Sequence, residues 1–375
     1  MISSLRIQGF RGFRQFAMAD LGRVNLLVGT NNSGKTSLLE AIYLLSSSGD
    51  PFAMWQMLWR RGERLPPAPQ QVERPTTRRS QIELDIAHLF YGHEVQPGSS
   101  FEIAADDSSP SRMVRFQVAE MSPRDQAELF GTEDDGTLGT RLALEIRGSP
   151  KPVMNIIPLT RSGGIYADSI DIAIRRSRSR PSEMYSSYFV TAESLTGDEL
   201  IAIWNRVALT PLEELVLQAL QFLEPKIERI AVQASAASYN SSQNRGGFII
   251  KHRDFEQPVP IGSMGDGMWR MLAMAIAITQ CKGGVLLVDE IDTGLHYTVM
   301  SRMWKLIFSA AKEFDVQVFA TTHSYDCVYS LAQICTSPGP ENAVTVQRID
   351  AESVKSVPYD QDEITSAAAR EIEVR

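Results

Sequence analysis

Cysteine is scarce in this chain. Only Cys281, Cys327 and Cys335 are present, with no Cys-x-x-Cys pair among them. That excludes a thiolate metal site of the paired kind and a disulfide framework, and leaves three thiols to be buried in a reducing cytoplasm, the compartment expected here. Long apolar runs are missing as well. Nothing approaches the roughly 18 uninterrupted residues of a spanning helix, so no membrane partnership is expected. The opening Met1-Ile2-Ser3-Ser4-Leu5-Arg6-Ile7 reads as a strand and lacks the form of a signal peptide. No internal repeat is present, and no heptad pattern persists, which excludes long coiled-coil arms. Positive charge is also in deficit. A formal net charge of −8 argues against indiscriminate nucleic-acid binding over the whole surface and leaves room for a local basic patch.

What is present is enough for a large core. The 375 residues are 43% hydrophobic, which suits one large domain or a domain carrying an insertion. The most informative segment is Gly29-Thr30-Asn31-Asn32-Ser33-Gly34-Lys35-Thr36-Ser37. It has the G-x-x-x-x-G-K-[ST] spacing of a phosphate loop. Apolar Val24–Val28 precedes it as a strand, and Ser37–Leu45 follows with helical character, which is the context that the motif requires. Glycines let backbone N–H groups turn inward around phosphates at the positive end of the helix dipole. Lys35 is placed to reach the β- and γ-phosphates, and the Thr36 hydroxyl to ligate Mg²⁺.

Three further segments complete a set. Gly283-Gly284-Val285-Leu286-Leu287-Val288-Asp289-Glu290 is an apolar run ending in two carboxylates. It suits a parallel strand buried on both faces, with Asp289 and Glu290 emerging at its carboxyl end, where open α/β sheets bind ligands. Asp289 is a metal ligand in this reading and Glu290 orients the attacking water. Phosphoryl transfer needs mainly positioning and charge stabilisation, so one cation, one metal and one water-directing carboxylate suffice. Val316–Ser324 reads as another strand, ending at His323, which can donate to a γ-phosphate oxygen. Ile261–Gly267 is a glycine-spaced turn at the start of a helical run from Met268. Ser263 and Gly265 there make either a second anion site or a simple helix cap.

In this order, the phosphate loop, Ser263-Met264-Gly265, Asp289-Glu290 and His323 resemble the motifs of ABC-type ATPases. The resemblance is closer to the SMC, RecF and OLD branch than to transporters. Leu5–Phe13 looks like that branch's opening strand, Asp289–His296 like its Walker B and D-loop, and Ala320–Ser324 like its H-loop. The resemblance implies an α/β P-loop NTPase fold: an ABC-ATPase-like head with a mixed or parallel central sheet and an inserted antiparallel β-rich and helical lobe. It implies ATP and Mg²⁺ held by Gly29, Asn31, Asn32, Ser33, Gly34, Lys35, Thr36, Ser37 and Asp289. Ser263 and Gly265 of a second copy would cover the γ-phosphate, with Glu290, Lys35 and His323 as the catalytic group. Arg11, beside Phe10 and Phe13, is the candidate for the nucleotide's adenine side, or else a salt-bridge partner. Departures are His296, where transporters usually carry Asp, and a loose Ser-Met-Gly-Asp-Gly signature. A Q-loop glutamine is unassigned, since Gln81 and Gln117 lack a supporting motif.

The domain boundaries expected are 1–60 with 245–375 for the ATPase core and 61–244 for the inserted lobe. Ile82–Ile86, Ser100–Ile103, Val114–Val118 and Leu142–Ile146 alternate like antiparallel strands. A proline-rich connector spans 64–75. Pro211–Leu223 reads as helix, Ile227–Val232 and Gly247–Lys251 as strands, and 235–244 as a polar loop. Arginines cluster at Arg60, Arg61, Arg64, Arg74, Arg78 and Arg79, and again at Arg175, Arg176, Arg178 and Arg180. Such groups grip phosphate oxygens, form a solvated face or dock a protein. Family members commonly join this ATPase to a Toprim nuclease. Asp360-Gln361-Asp362 matches that site by letter only, and no room for such a domain is expected after His323. The leading expectation is an ATPase subunit that dimerises around ATP and controls a separate effector, plausibly a Toprim-type nuclease in phage defence. The alternative is an ATP-gated DNA clamp of RecF or SMC type. A transporter ATPase fits least.

Overall fold

The computed structural model describes residues 1–66, 82–107, 112–121, 142–149, 153–178, 187–233, 247–335, 343–370 and 372–374. The chain opens with β1 (Ile2–Phe10), β2 (Phe13–Met18) and β3 (Val24–Val28), followed by helices α1 (Lys35–Ser46) and α2 (Pro51–Arg61). Next come β4 (Glu83–Leu84), β5 (Ser100–Asp107), β6 (Arg112–Glu120), β7 (Leu142–Ser149), β8 (Val153–Pro158), β9 (Ile165–Tyr166) and α3 (Ala167–Arg178). Then follow β10 (Ser187–Val190), α4 (Gly197–Val207), α5 (Pro211–Gln221), β11 (Ile227–Val232), β12 (Phe248–His252), β13 (Val259–Pro260) and α6 (Asp266–Thr279). The remainder is β14 (Val285–Val288), α7 (Tyr297–Glu313), β15 (Gln317–Thr321), α8 (Tyr325–Cys335), β16 (Val344–Arg348), β17 (Val357–Tyr359) and α9 (Gln361–Ala369).

These elements form two compact units. The first comprises Met1, Ala19–Leu39 and Tyr185–Arg375; the second comprises Ile2–Met18 and Glu40–Met184. In the first unit six strands lie in the order β10-β14-β15-β3-β16-β17. All neighbours are parallel except β17, which runs antiparallel at the edge. Every residue of β3, β14 and β15 is buried, as continuous apolar runs in a sheet covered on both faces should be. Helix α6 is buried from Met268 to Thr279 and packs against α4 and α5, while α7 packs against α8 and α8 against α9. A helix apolar on all sides is one enclosed by neighbours. Asp360 caps α9 in a reciprocal box with Glu363, its carboxylate accepting the Glu363 N–H at 2.8 Å. The Asp360-x-Asp362 letters thus serve a helix start.

The second unit is a six-stranded antiparallel sheet, β2-β1-β5-β6-β7-β8, with α2 packed on α3. Alternation along β6 puts Val114, Phe116 and Val118 inside. Phe101 stacks on Phe116 at 4.5 Å and meets Phe10 at 5.0 Å. Ile82–Ile86 supplies only the two-residue strand β4. The proposed connector beyond residue 66, the loop 235–244, and Arg74, Arg78, Arg79, Arg180 and Gln81 lie outside the described residues.

The division differs from the boundaries expected from sequence. Residues 2–18 form a hairpin, turning at Arg11 with φ 50°, whose first strand pairs with β5; they therefore belong with the antiparallel sheet. Residues 185–244 go the other way, because β10 pairs with β14 and α4 and α5 pack on α6. Pairing partners far along the chain decide both assignments.

Arg11 sits in a buried ion cluster. Its Nε lies 2.7 Å from Glu40 and its Nη1 2.7 Å from Glu63, and Arg61 donates from Nε to Glu40 at 2.6 Å. Arg11 and Glu40 are 6% and 4% exposed. Burial pushes the Glu40 carboxyl up, and the two arginines oppose this. Removing one partner of such a pair leaves an uncompensated buried charge, at a cost of about 3–5 kcal/mol. Arg11→Met should therefore lower the urea midpoint of unfolding substantially; a variant as stable as the parent would show that the cluster carries no net stability.

Candidate nucleotide site

The parallel sheet brings together residues that are distant in sequence. The phosphate loop follows β3, Asp289 and Glu290 follow β14, and Thr321 ends β15 with Thr322 and His323 after it, all at the same carboxyl edge. Gly29 has φ +145°, and a Cβ there would lie 2.2 Å from the Ile349 carbonyl oxygen. Only glycine lets the loop leave the sheet beside that chain. Asn32 and Gly34 also have positive φ, 63° and 96°, which curls the loop around its own centre. α1 begins at Lys35, so its first N–H groups have no intrahelical acceptor and face the loop's concavity as donors for an anion.

Lys35 donates from Nζ to the carbonyls of Gly29 and Thr30, both at 2.8 Å. Burial lowers its pKa, while Asp289 and Glu290 act in the opposite sense. Thr36 Oγ1 donates to the Asp289 carboxylate at 3.0 Å. Thr321 Oγ1 donates to the same carboxylate at 2.6 Å and accepts the Glu290 N–H at 2.8 Å. Asp289 is thereby joined to both neighbouring loops. The Ser33 hydroxyl is buried and has no hydrogen-bond partner among the described residues. Asn31 and Asn32 are exposed at the loop tip, and Ser37 is half-buried on α1.

Glu290 is held in an uncommon backbone conformation, φ 47°. Such strain persists only where surroundings over-determine it. Here Thr321 takes its N–H, and Arg270 donates to the carbonyls of Asp289 at 2.5 Å and Glu290 at 3.0 Å, and to that of Thr191. The Glu290 side chain remains half-exposed, with His323 Nδ1 4.0 Å from its Oε1. Thr293 Oγ1 donates to Glu290 Oε2 at 3.2 Å.

The motif reading gives no role to Arg270, nor to Thr321 within the Ala320–Ser324 segment. The signal for Arg270 was available: one cation inside the apolar run Met268–Ile278 must be buried with the helix. It is 2% exposed, and desolvation pulls its pKa down to about 10, still high enough to keep it charged at neutral pH. Ser263 lies exposed in a short 3-10 turn, Ile261–Met264, and Gly265 occupies the cap position of α6 without any side-chain cap. The helix-cap role considered for Ser263 is not the one adopted. On α6, a Cβ at Gly267 would meet the Gly294 carbonyl at 2.8 Å, so the turn and the segment after Glu290 approach backbone to backbone. Arg11, the candidate for the adenine side, is instead engaged with Glu40 and Glu63 in the second unit. Gln117 lies in β6 of that unit as well.

Among the described residues no group of three or more His, Cys, Asp or Glu side chains could hold a metal. Mg²⁺ needs fewer protein ligands, since it keeps several waters and binds substrate phosphates through hard oxygens. The Thr36 hydroxyl and Asp289 carboxylate are such oxygens, already adjacent. Among the described residues no helix is long and apolar enough to cross a membrane.

Comparison with known proteins gives the same reading. Residues 1–145 match a family described as "AAA ATPase domain" and residues 153–326 one described as "AAA domain, putative AbiEii toxin, Type IV TA system". An "ATP/GTP phosphatase" of Helicobacter pylori is 22% identical over 362 residues, covering 89% of this chain and 88% of that protein. The DNA replication and repair protein RecF of Idiomarina loihiensis is 50% identical over 44 residues, 12% of each chain. The SMC head domain from Thermotoga maritima aligns over 96% of this chain and 98% of its own, at 14% identity and a TM-score of 0.43. With the phosphate-loop motif and the paired carboxylates on one sheet edge, and AAA ATPase family matches over residues 1–145 and 153–326, the chain is a nucleotide-binding ATPase.

Proposed function

We propose that two copies of this chain close around ATP and Mg²⁺, hydrolyse the nucleotide and thereby control a separate effector. The observation that carries this reading is the hydrogen-bonded set Thr36, Asp289 and Thr321, with Lys35 and Glu290 beside it. Loop N–H groups and the Lys35 ammonium bind the phosphates. The Gly29 and Thr30 carbonyls that hold Lys35 give it up to a phosphate oxygen, which is a stronger, charged acceptor. Thr36 and Asp289 supply the oxygens that would hold Mg²⁺, whose charge would neutralise phosphate oxygens as the bond to the leaving group breaks.

Glu290 orients and polarises the attacking water. Its half-exposed carboxylate turns toward a nucleotide by giving up the Thr293 hydroxyl, while Arg270 and Thr321 keep its backbone in place. His323, within 4.0 Å of that carboxylate, donates to the γ-phosphate and reports its presence. The exposed Ser263 hydroxyl and the uncapped start of α6 at Gly265 form an anion-seeking surface. It suits the γ-phosphate held by a partner copy, which makes the dimer the active form.

The effector in this reading is a nuclease in a defence set. Support comes from the OLD-branch motifs and from the toxin–antitoxin wording of the family matched by residues 153–326. The RecF likeness favours a second reading, an ATP-gated DNA clamp. Salt-sensitive DNA binding that tightens with ATP would select the clamp; recovery of a nuclease chain with the native protein would select the first.

Three measurements test the site. Lys35→Ala should abolish ATP binding in calorimetry, and unchanged affinity would remove the phosphate-loop assignment. Glu290→Gln with ATP should elute as a persistent dimer with hydrolysis reduced at least about a hundredfold, in the range for lost water activation; a monomer would refute the two-copy model. Arg270→Met should lower kcat about ten- to a hundredfold with little change in KM, because it frees the backbone of Glu290 without touching the phosphate loop. Partial recovery in Arg270→Lys would support the positioning role, whereas a loss of folded protein with normal kcat per folded molecule would make Arg270 purely structural.

A further inference from the structure

The loop that carries His323 is fastened on both sides of that residue. Thr322 is wholly buried. Its Oγ1 donates to the Asp292 carboxylate at 2.6 Å and accepts the Ser324 N–H at 3.0 Å. Ser324 in turn accepts the Cys327 N–H on its own hydroxyl at 3.3 Å, as a helix cap does at the start of α8. His323 stands between these two anchored residues with its side chain exposed and its Nδ1 4.0 Å from Glu290 Oε1.

The segment after β14 runs beside this loop. The Ile291 N–H donates to the Thr321 carbonyl at 3.0 Å, so backbone pairing joins the two chains up to that point. The Asp292–Thr322 bond extends the pairing by one side-chain link, immediately before His323. A hydroxyl has one proton and two lone pairs. With its proton committed to Asp292, the Thr322 oxygen turns its lone pairs to the Ser324 N–H and so sets the backbone on the far side of His323. The bond to Asp292 has the short length of a charge-assisted O–H···O⁻ contact, which is roughly twice as strong as a neutral one. An apolar side chain at position 292 could fill the same space without directing the hydroxyl. Asp292 also opens the turn that its carbonyl closes with the Leu295 N–H at 3.0 Å. Gly294 of that turn is the residue that approaches Gly267 of α6.

We infer that Asp292 and Thr322 are positioning residues for His323: their bond holds the loop so that the imidazole meets the γ-phosphate beside Glu290, an assignment that rests on the hydrolytic role proposed for His323 above. Neither residue is assigned a contact with nucleotide.

Thr322→Val removes the hydroxyl at nearly unchanged shape. Its kcat should fall about tenfold or more with KM for ATP within about twofold, the pattern of an interaction used in the transition state and not in binding. Thr322→Ser keeps the hydroxyl and should recover most of the rate. Asp292→Asn keeps an acceptor oxygen and should be milder than Asp292→Ala. His323→Ala is measured alone and combined with Thr322→Val. Because Thr322 acts through His323, the double variant should be no slower than His323→Ala. Circular dichroism and urea unfolding give the folded fraction, and rates are taken per folded molecule. Where Thr322→Val does not fold, Asp292→Ala takes its place in the same cycle with the same expected outcomes. A slowed His323→Ala beside a Thr322→Val at the parental rate, or losses that multiply in the double variant, would overturn the positioning role and leave that of His323 standing. His323→Ala at the parental rate would remove both.

Discussion

The Asp289 carboxylate is the junction on which the rest of the site depends. It stands at the end of β14, yet its hydrogen bonds come from Thr36 at the start of α1 and from Thr321 at the end of β15. Three loops that share no local sequence are tied through one acidic group. This is possible because parallel strands all end at the same sheet edge, so each contributes its following loop to one rim. An antiparallel sheet of the same composition would place alternate loops on opposite edges. The buried runs of β3, β14 and β15 are thus the first condition for chemistry, before any polar residue is considered.

Around that junction the backbone is held with unusual completeness. Glu290 occupies positive φ, a conformation that a non-glycine side chain disfavours, and both its N–H and its carbonyl are claimed by side chains from other elements. The resulting arrangement fixes where the carboxylate starts while leaving its end solvent-accessible. Arg270 does this from α6, the helix that begins at the exposed Ser263–Gly265 turn. One helix therefore carries both that exposed turn and the clamp on the Glu290 backbone.

The second unit is built on another principle. Its antiparallel sheet alternates apolar and polar residues, and its buried charges include the pairing of Arg11 and Arg61 with Glu40 and Glu63. Glu40 lies on α1 only a turn beyond Thr36. The same short helix thus carries the last residues of the G-x-x-x-x-G-K-[ST] motif at its start and a buried carboxylate further along. Arg11 shows how one residue type serves either purpose: an arginine in a turn could meet an anion from outside or from within, and two glutamates decide the matter here.

Much was legible without coordinates. Spacing alone placed Lys35, Thr36, Asp289 and Glu290, since strand, loop and helix at those positions each carry a local signal, and the α/β class followed from the buried runs. The alternating segments around Phe101, Phe116 and Leu144 announced their sheet for the same reason. What remained hidden was everything set by distant pairing: that residues 2–18 join β5, that β10 extends the parallel sheet, that Thr321 bonds Asp289, and that Arg270 reaches two carbonyls nineteen and twenty positions away. Local chemistry names the groups, because a motif is a short-range pattern; their partners belong to the fold, because hydrogen bonds and packing act across space regardless of the number of residues between.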